Sequence, residues 1–321
     1  MPFSVDRFLT THTGSLPRPD DLVQMMYGKE EGKEVDVGAL HKRTTTAVRE
    51  VVDKQRQAGL DIVNDGEMSK PSYATYVRDR LSGFGGLSNT FVYQDLVGFP
   101  NMAKRACLGI LDDRAYLEAI AAAMKPEYEA IFAAGFDLQV DCPDLAMGRH
   151  IQYASLELSE FRKRAAEHVE ALNVALENIP PDRTRMHLCW GNYEGPHHCD
   201  VPLADIVDIV LKARPAMLSL EAANPRHAHE FAVFEKVKLP EGKALIPGVI
   251  ESKSNFIEHP EVIANRISNY ARLVGRKNVI AGSDCGYGTW VGQAAVDPDI
   301  VWAKLAGLTE GARLASQRFW P

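Results

Sequence analysis

Short apolar runs alternate with longer amphipathic segments along most of this 321-residue chain. The apolar runs predict strands, and the amphipathic segments between them predict helices. A strand–helix order with strands that are apolar throughout is typical of a parallel sheet covered by helices. The predicted strands are 8–15, 61–65, 136–141, 184–189, 216–220, 244–250 and 278–283.

The ends of these strands favour an eight-stranded barrel, (β/α)8, over an open sheet. Each run ends at, or just before, a polar or ionisable residue, and barrel enzymes take functional residues from the carboxyl ends of many strands. Strand three is weak or missing, because the only candidate between Glu67 and Asp141 is 104–110. The chain shows no interdomain linker and no internal repeat, so we expect one α/β barrel domain over residues 1–321.

Composition narrows the class of protein. A net charge of −7 argues against nucleic acid or an anionic membrane as the main partner. The five cysteines are widely spread without a Cys-x-x-Cys pair, which favours a reducing, cytoplasmic compartment. We find no secretory leader and no run of about 18 apolar residues, so we expect neither secretion nor membrane spanning. The oligomeric state stays open, and a homo-oligomer is compatible with the sequence.

Metal-binding residue types concentrate just past one predicted strand, in RMHLCWGNYEGPHHCD at 185–200. His187 and Cys189 are two residues apart, so on a strand both side chains face the same way. Taken alone, this pair also fits a small buried Cys beside a hydrogen-bonded core His. Glu221 follows the next strand, where a carboxylate is costly unless it is paired or bound to a cation. Cys285 follows the last strand in a Gly-rich turn, and strand ends converge on one rim of a barrel.

These four residues make a plausible tetrahedral zinc set. Two thiolates and an imidazole suit zinc better than magnesium or calcium. Because the thiolates and the carboxylate outweigh the charge of Zn²⁺, such a site is poor at activating water. It suits holding a substrate thiol as a nucleophilic thiolate. The sequence therefore favours S-alkylation over hydrolysis, with a small-molecule thiol and an alkyl or methyl donor as partners.

The motifs around these residues resemble those of cobalamin-independent methionine synthases, in particular the short single-barrel members. TTHTGSLPRP resembles their N-terminal signature, and LDIVNDGE and LQVDCPDL resemble their second and fourth strand ends. MHLCWG, LSLEAANPRH and GSDCGYG match their zinc motifs in order. From Phe136 onward the chain is also similar to epoxyalkane:coenzyme M transferase of the same superfamily, through CWGNYEGPH, PRHAHE and EHPEVIANRI. The resemblance implies a barrel of the UROD/methionine-synthase type.

The resemblance also implies roles for individual residues, beginning with the four zinc ligands above. Gly14 and Ser15 would hold the carboxylate or sulfonate end of the thiol substrate. Glu67 and Asp141 would bind the ammonium group of homocysteine. For coenzyme M, which has no ammonium, the candidates to meet the sulfonate are Arg18 and Arg226.

The alkyl donor stays open. Methionine synthases have an acidic residue and a proton-delivering His after their PGV strand, whereas this chain reads PGVIESKSN, with Glu251 and Lys253. We take Lys253 and His197 as candidate catalytic residues, His197 as a proton shuttle at the metal rim. Methyl transfer to homocysteine is the leading hypothesis. The alternatives are epoxide opening by coenzyme M, a zinc hydrolase, and a non-catalytic barrel with structural zinc.

Overall fold

The computed structural model describes residues 3–72, 114–292 and 295–320. Contacts divide these residues into two compact units. The central unit comprises Phe3 and residues 114–246, and the terminal unit comprises residues 4–72, 247–292 and 295–320. Strand three, predicted within 104–110, lies outside the described residues. The prediction of one domain over the whole chain therefore stays a prediction.

From residue 114 onward helices and strands alternate, as the sequence predicts, with a 3-10 helix, Glu230–Glu235, in place of an α-helix in one connection. The helices are α1 (Asp20–Glu30), α2 (Val37–Gln57), α3 (Arg114–Ala133), α4 (Leu158–Ala175), α5 (Val207–Val210), α6 (Pro260–Val274) and α7 (Pro298–Phe319). The strands are β1 (Leu138–Asp141), β2 (Thr184–Leu188), β3 (Met217–Glu221), β4 (Ala244–Ile250) and β5 (Gly282–Ser283). Among the helices described here, none has the length and apolarity needed to cross a membrane.

The central unit is built on parallel strands in sequence order. β1 pairs with β2, which places Asp141 opposite His187, and β2 pairs with β3. Every residue of β2 and β3 is buried. This pattern is expected for strands of a parallel sheet that is covered on both faces.

Two helix predictions in the central unit need correction. A proline within a helical pattern predicts a kink or a break at Pro126, and the structure shows no break, because α3 continues on both sides of it. A proline removes one backbone donor, and the remaining hydrogen bonds carry the helix through. The amphipathic sequence PLADIVDIVLKA at 202–213 predicts one helix, whereas the structure has a 3-10 turn, Leu203–Asp205, before the short α5. The Glu230 carboxylate accepts the Leu203 N–H at 2.7 Å and so fixes the start of this turn.

In the terminal unit, β4 pairs with β5 in parallel. The predicted strand 8–15 forms one isolated parallel bridge, in which the Thr11 N–H donates to Ala281 O and the Ala281 N–H donates to Leu9 O. The predicted strand 61–65 is joined to it by a single backbone bond, from the Ile62 N–H to Thr10 O. Side-chain bonds replace part of the ladder, because the Asp61 carboxylate accepts both the N–H and the hydroxyl of Thr10. The first predicted strand thus lies between the second, which it contacts at Ile62, and the last, which it contacts at Ala281. This is the order of neighbours that a closed barrel requires of its first, second and last strands. The complete eight-stranded barrel stays a prediction.

Candidate metal centre

The end of β2 carries two of the predicted metal ligands. His187 and Cys189 are buried, at 3% and 9% exposed, and their ligand atoms lie within 4.8 Å of one another. The His187 Nδ1 atom is buried and has no hydrogen-bond partner among the described residues. An unpaired buried ring nitrogen is unfavourable unless a cation or a donor meets it. The donor set in the central unit therefore fits a metal ion.

The local electrostatics of this pair favour an anionic sulfur. Burial acts to lower the pKa of His187, but the hydrogen bond and charge of Cys189 outweigh it, and the pKa lies above its ordinary value. The Gly191 N–H donates to the Cys189 sulfur at 3.2 Å. A donor and an imidazolium beside a sulfur both stabilise its thiolate form.

Glu221, the last residue of β3, is fully buried. Its Oε1 accepts the backbone N–H of Trp190, and its Oε2 accepts the amide of Asn224, both at 3.1 Å. Two donors offset part of the cost of burying a carboxylate. Because Trp190 directly follows Cys189, the first of these bonds ties Glu221 to the segment that carries the metal-binding pair.

Asp141 ends β1 and lies at the same sheet edge, opposite His187 in the strand register. Unlike the metal-binding pair it is exposed, and it accepts a hydrogen bond from Gln139 at 3.1 Å. The next residue, Cys142, is buried, and its N–H donates to His187 O at 2.9 Å. The structure thus brings Asp141 to the edge that carries His187, and its role with an ammonium group stays a prediction.

The terminal unit contains Cys285, two residues after β5 and 2% exposed. Its turn packs tightly against Ser15, whose backbone oxygen accepts the Tyr287 N–H at 2.7 Å. A Cβ added to Gly286 would lie 2.5 Å from the Ser15 backbone nitrogen, so only glycine fits there. The structure therefore brings the Cys285 turn together with Ser15, one of the two residues predicted to hold the substrate's anionic end.

Glu67 and Arg18 lie beside this turn in the same unit. The Glu67 carboxylate lies 3.8 Å from the position that a Cβ on Gly14 would take, and it pairs with Lys70 at 3.2 Å. The Arg18 guanidinium donates to three backbone carbonyls, those of Glu67, Lys70 and Gly288. Burial lowers the pKa of Arg18, against the opposing charge of Glu67. These contacts give Arg18 a structural role, and binding of a sulfonate by it stays a prediction.

The two candidate catalytic residues have different surroundings. Lys253, in the terminal unit, is buried, and its backbone N–H donates to Glu251 Oε1 at 2.8 Å, with the Nζ atom 4.0 Å from the same oxygen. His197, in the central unit, lies in a separate buried cluster with Asp200 and His227. Catalysis by either residue stays a prediction.

Comparison with known proteins gives relatives for the whole chain. No protein-family model matches it. It is 25% identical to YxjH of Bacillus subtilis, an uncharacterized protein, over 93% of this chain and 92% of that protein. It is 23% identical to 2-hydroxypropyl-CoM lyase of Xanthobacter autotrophicus, over 96% and 90% of the two chains.

A third relative is the 5-methyltetrahydropteroyltriglutamate–homocysteine methyltransferase of Catharanthus roseus, 23% identical over 87% of this chain. The relatives of this chain include cobalamin-independent methionine synthases. The resemblance that the motifs predict is confirmed, although the chain covers only 40% of that plant enzyme.

Two solved structures show a similar fold. A B12-independent methionine synthase from Shewanella superposes with a TM-score of 0.73 at 17% identity, over 98% of this chain and 99% of that one. A putative B12-independent methionine synthase from Listeria monocytogenes gives a TM-score of 0.61 at 17% identity, over 99% of each chain. At this identity the likeness concerns the fold, which is an α/β fold of the methionine synthase barrel type.

Sequence reasoning missed two features of the site. Asn224, which binds the Glu221 carboxylate, follows it by three residues in EAAN, and a short turn at that spacing brings the side chains together. The second feature is the partners of His197 and His227, Asp200 and Glu230, each three residues after its histidine. This shared His-x-x-acid spacing is the signal that would have found the cluster.

Proposed function

We propose that this chain is a zinc-dependent thiol S-alkyltransferase, a methionine-synthase-like methyltransferase that acts on a homocysteine-type thiol. The observation that carries the proposal is the buried His187, with an unpartnered Nδ1, beside Cys189 and one strand away from the buried Glu221. Two relatives, a homocysteine methyltransferase and a 2-hydroxypropyl-CoM lyase, support a thiol-related substrate class.

In this proposal His187, Cys189, Glu221 and Cys285 hold the metal. Cys285 is included because its GSDCGYG motif follows β5 and its side chain is buried. When bound, zinc supplies a positive charge that lowers the pKa of a substrate thiol, so the sulfur is present as thiolate near neutral pH. The three anionic ligands offset that positive charge and leave the thiolate sulfur reactive.

The remaining site residues orient the substrate. Gly14 and Ser15 bind its carboxylate through a backbone N–H and a hydroxyl, in the segment packed against the Cys285 turn. Glu67 and Asp141 accept hydrogen bonds from its ammonium group. With the thiol fixed at both ends, its sulfur is aimed at the electrophilic carbon, which replaces a bimolecular encounter by an oriented one.

Alkyl transfer needs one proton on the leaving group. The thiolate sulfur forms the new S–C bond with its own electron pair, and the bond from that carbon to the donor atom breaks toward the donor. The departing atom then takes a proton, which we assign to Lys253, with His197 as the other candidate. Glu251 fixes the position of Lys253 through its bond to the Lys253 N–H.

Epoxide opening by coenzyme M is the second candidate. It is favoured by Lys253 in the segment after β4, because an ammonium can protonate the alkoxide that an opened epoxide leaves. The similarity to the Xanthobacter lyase over 90% of its length supports it independently. In this case Arg18 would meet the sulfonate only if one of its carbonyl contacts were exchanged.

The test is a matrix of two thiols and two donors. Zinc-loaded protein is incubated with homocysteine or coenzyme M, each with a methyltetrahydrofolate or an epoxide, and thiol loss and product mass are measured. We expect homocysteine with the methyl donor to react, and Cys189→Ser to abolish the reaction with loss of zinc. Cys142→Ser is the matched control, because burial raises the pKa of Cys142 well above its ordinary value and keeps it a thiol.

Three results would contradict the proposal. Turnover that survives complete removal of metal would exclude a zinc-held thiol. Full activity in Cys189→Ser would exclude the ligand set. Cooperative melting of the whole fold on chelation, without any thiol reaction in the loaded protein, would favour the structural-zinc alternative.

A further inference from the structure

A second buried cluster of metal-binding side chains lies in the central unit, apart from the candidate zinc ligands. It joins two loops, because His197 and Asp200 follow β2 whereas His227 and Glu230 follow β3. All four side chains are at most 5% exposed. The ligand atoms of His197, Asp200 and His227 lie within 4.8 Å of one another.

Both histidines are oriented as metal ligands are. His197 Nδ1 and His227 Nε2 face the same atom, Asp200 Oδ2, at 2.8 and 2.9 Å. The outer nitrogen of each ring meets an acceptor, the Tyr193 carbonyl oxygen at 3.1 Å for His197 and Glu230 Oε2 at 2.9 Å for His227. Metal-binding histidines characteristically donate the outer N–H to a carbonyl or a carboxylate, which fixes the ring and its tautomer.

The protons of the cluster can be counted from these contacts. If each ring donates its outer N–H, its contact with Asp200 needs a second proton on the inner nitrogen. Both rings are then imidazolium, and their two positive charges balance the carboxylates of Asp200 and Glu230. In the part of the chain that the structure describes, neither carboxylate pairs with a lysine or an arginine. A divalent cation between the rings would supply the same charge and leave both rings neutral.

Asp200 offers one more ligand atom. Its Oδ1 is buried and has no hydrogen-bond partner among the described residues, and the Nε2 atom of His150 lies 3.6 Å away, beyond hydrogen-bond distance. A buried carboxylate oxygen without a partner is rare, since its desolvation is uncompensated. A cation held by the two histidines and Asp200 would remove that cost.

We propose that His197, Asp200 and His227 form a binding site for a divalent transition-metal ion, separate from the candidate zinc centre. Two imidazoles and one carboxylate suit Zn²⁺, Fe²⁺ or Co²⁺ and leave coordination positions for water or a small ligand. Binding expels one proton from each ring, so one M²⁺ enters and two H⁺ leave. The logarithm of the apparent affinity then rises by about two for each pH unit over the range in which both rings are protonated.

The groups that face the two rings are few among the described residues. Asp200, Glu230 and the more distant Glu221 favour the protonated form of His227, whose ring stacks on Trp190 at 4.2 Å. The His197 ring stacks on Tyr193 at 4.4 Å between centroids. These contacts hold both rings in place whether a cation or two protons balance the charge.

Cobalt distinguishes this site from the candidate zinc centre. A thiolate bound to Co²⁺ gives a strong sulfur-to-metal charge-transfer band, whereas a nitrogen and oxygen set gives only weak visible bands. Titration of the metal-free full chain with Co²⁺ should show two equivalents, one with each signature. Asp200→Asn should abolish binding of the Co²⁺ equivalent that shows no thiolate band, and it should retain the equivalent that shows the band.

Two further variants sharpen the test. Asp144→Asn is the matched control, because it also breaks an Asp–His contact in the central unit, Asp144 Oδ2 to His168 Nδ1 at 2.6 Å, and should keep both equivalents. Glu230→Gln alters the outer partner of His227, while the Gln amide oxygen can still accept the Leu203 N–H, and it should weaken the second equivalent by about 10–100-fold. In wild type, a pH indicator should report two protons released with that equivalent.

The outcomes separate this site from the proposed function. A wild-type protein that binds one Co²⁺, with the thiolate band, would overturn the second site and leave the proposed function standing. Retention of both equivalents in Asp200→Asn would also overturn it. If no thiolate band appears but Co²⁺ still binds at a site that Asp200→Asn removes, the proposed zinc centre is refuted and this site is supported. If Asp200→Asn fails to fold, the wild-type stoichiometry and proton count decide.

Discussion

His227 should make the metal-free protein less stable as the pH rises above about 6.5. Burial acts to lower its pKa, but hydrogen bonds to Asp200 and Glu230 dominate and raise the pKa to about 9, from an ordinary 6.5. The folded state thus binds the proton more tightly than the unfolded chain. The resulting stabilisation is fully present below about pH 6.5 and is lost as the pH rises to about 9.

The size of the effect follows from the shift. Each pKa unit corresponds to about 1.4 kcal/mol, so the His227 proton contributes on the order of 3 kcal/mol to the free energy of unfolding at low pH. His227→Gln cannot carry this charge and should lose the whole contribution. Between pH 6.5 and 9, the difference between wild type and His227→Gln should therefore shrink by about 3 kcal/mol.

Urea unfolding in the presence of a chelator measures this difference at pH 6.5, 7.5 and 9. The chelator matters because a bound cation would replace the protons and remove the pH dependence. His229→Gln is the matched control, an exposed histidine two residues away, and its stability should follow wild type at every pH. If the difference in the free energy of unfolding between wild type and His227→Gln stays constant from pH 6.5 to 9, the assignment of a positive charge to His227 is refuted.

Three further variants test the packing and the site. Gly286→Ala places a Cβ 2.5 Å from a backbone nitrogen and should cost about 1–3 kcal/mol in thermal unfolding, whereas Gly307→Ala, with no atom closer than 3.6 Å, should be tolerated. Lys304→Met leaves the half-buried Glu258 carboxylate without its cation, 2.9 Å away in wild type, although its Oε1 still accepts the Glu251 N–H; chemical denaturation should show a loss of about 1–3 kcal/mol, partly recovered with Glu258→Gln. Asn224→Ala removes the amide donor to Oε2 of the proposed ligand Glu221 and should weaken zinc binding about 10–100-fold in a competition with a chromophoric chelator, without loss of fold by circular dichroism.

The strands of the sheet were predictable because a strand that is buried on both faces has a continuous apolar run in its own sequence. The run 184–189 predicts β2 to within one residue, and 244–250 matches β4 at both ends. The start of α6 was predictable for a similar reason, since His259 caps the helix and Pro260 begins it. In each case the residues that determine the element lie within it or beside it.

Features that depend on distant partners were not predictable. The run 61–65 has the composition of a strand, but the Asp61 carboxylate takes the Thr10 N–H that a ladder would use. Arg18 has the chemistry of a sulfonate ligand, yet its terminal nitrogens donate to backbone carbonyls, which every residue possesses and no motif reveals. The pairing of Asp200 with His227 joins loops that are 27 residues apart, so only their shared spacing hinted at it.

The candidate zinc centre and the second cluster are linked through charge as well as through the chain. Trp190 donates its backbone N–H to Glu221 and stacks its ring on His227, so one residue contacts a member of each group. The negative charge of Glu221 contributes to the raised pKa of His227. Coupling between two charges is reciprocal, so any cation that neutralises Glu221 must weaken the hold of the fold on the His227 proton. Filling of the first site thereby lowers the proton competition at the second, but it also removes the attraction of Glu221 for a second cation. Because one M²⁺ replaces two H⁺ at the second site, the net charge there does not change, and the two effects of Glu221 oppose each other. Each metal affinity should therefore be nearly independent of the occupancy of the other site while both rings are protonated.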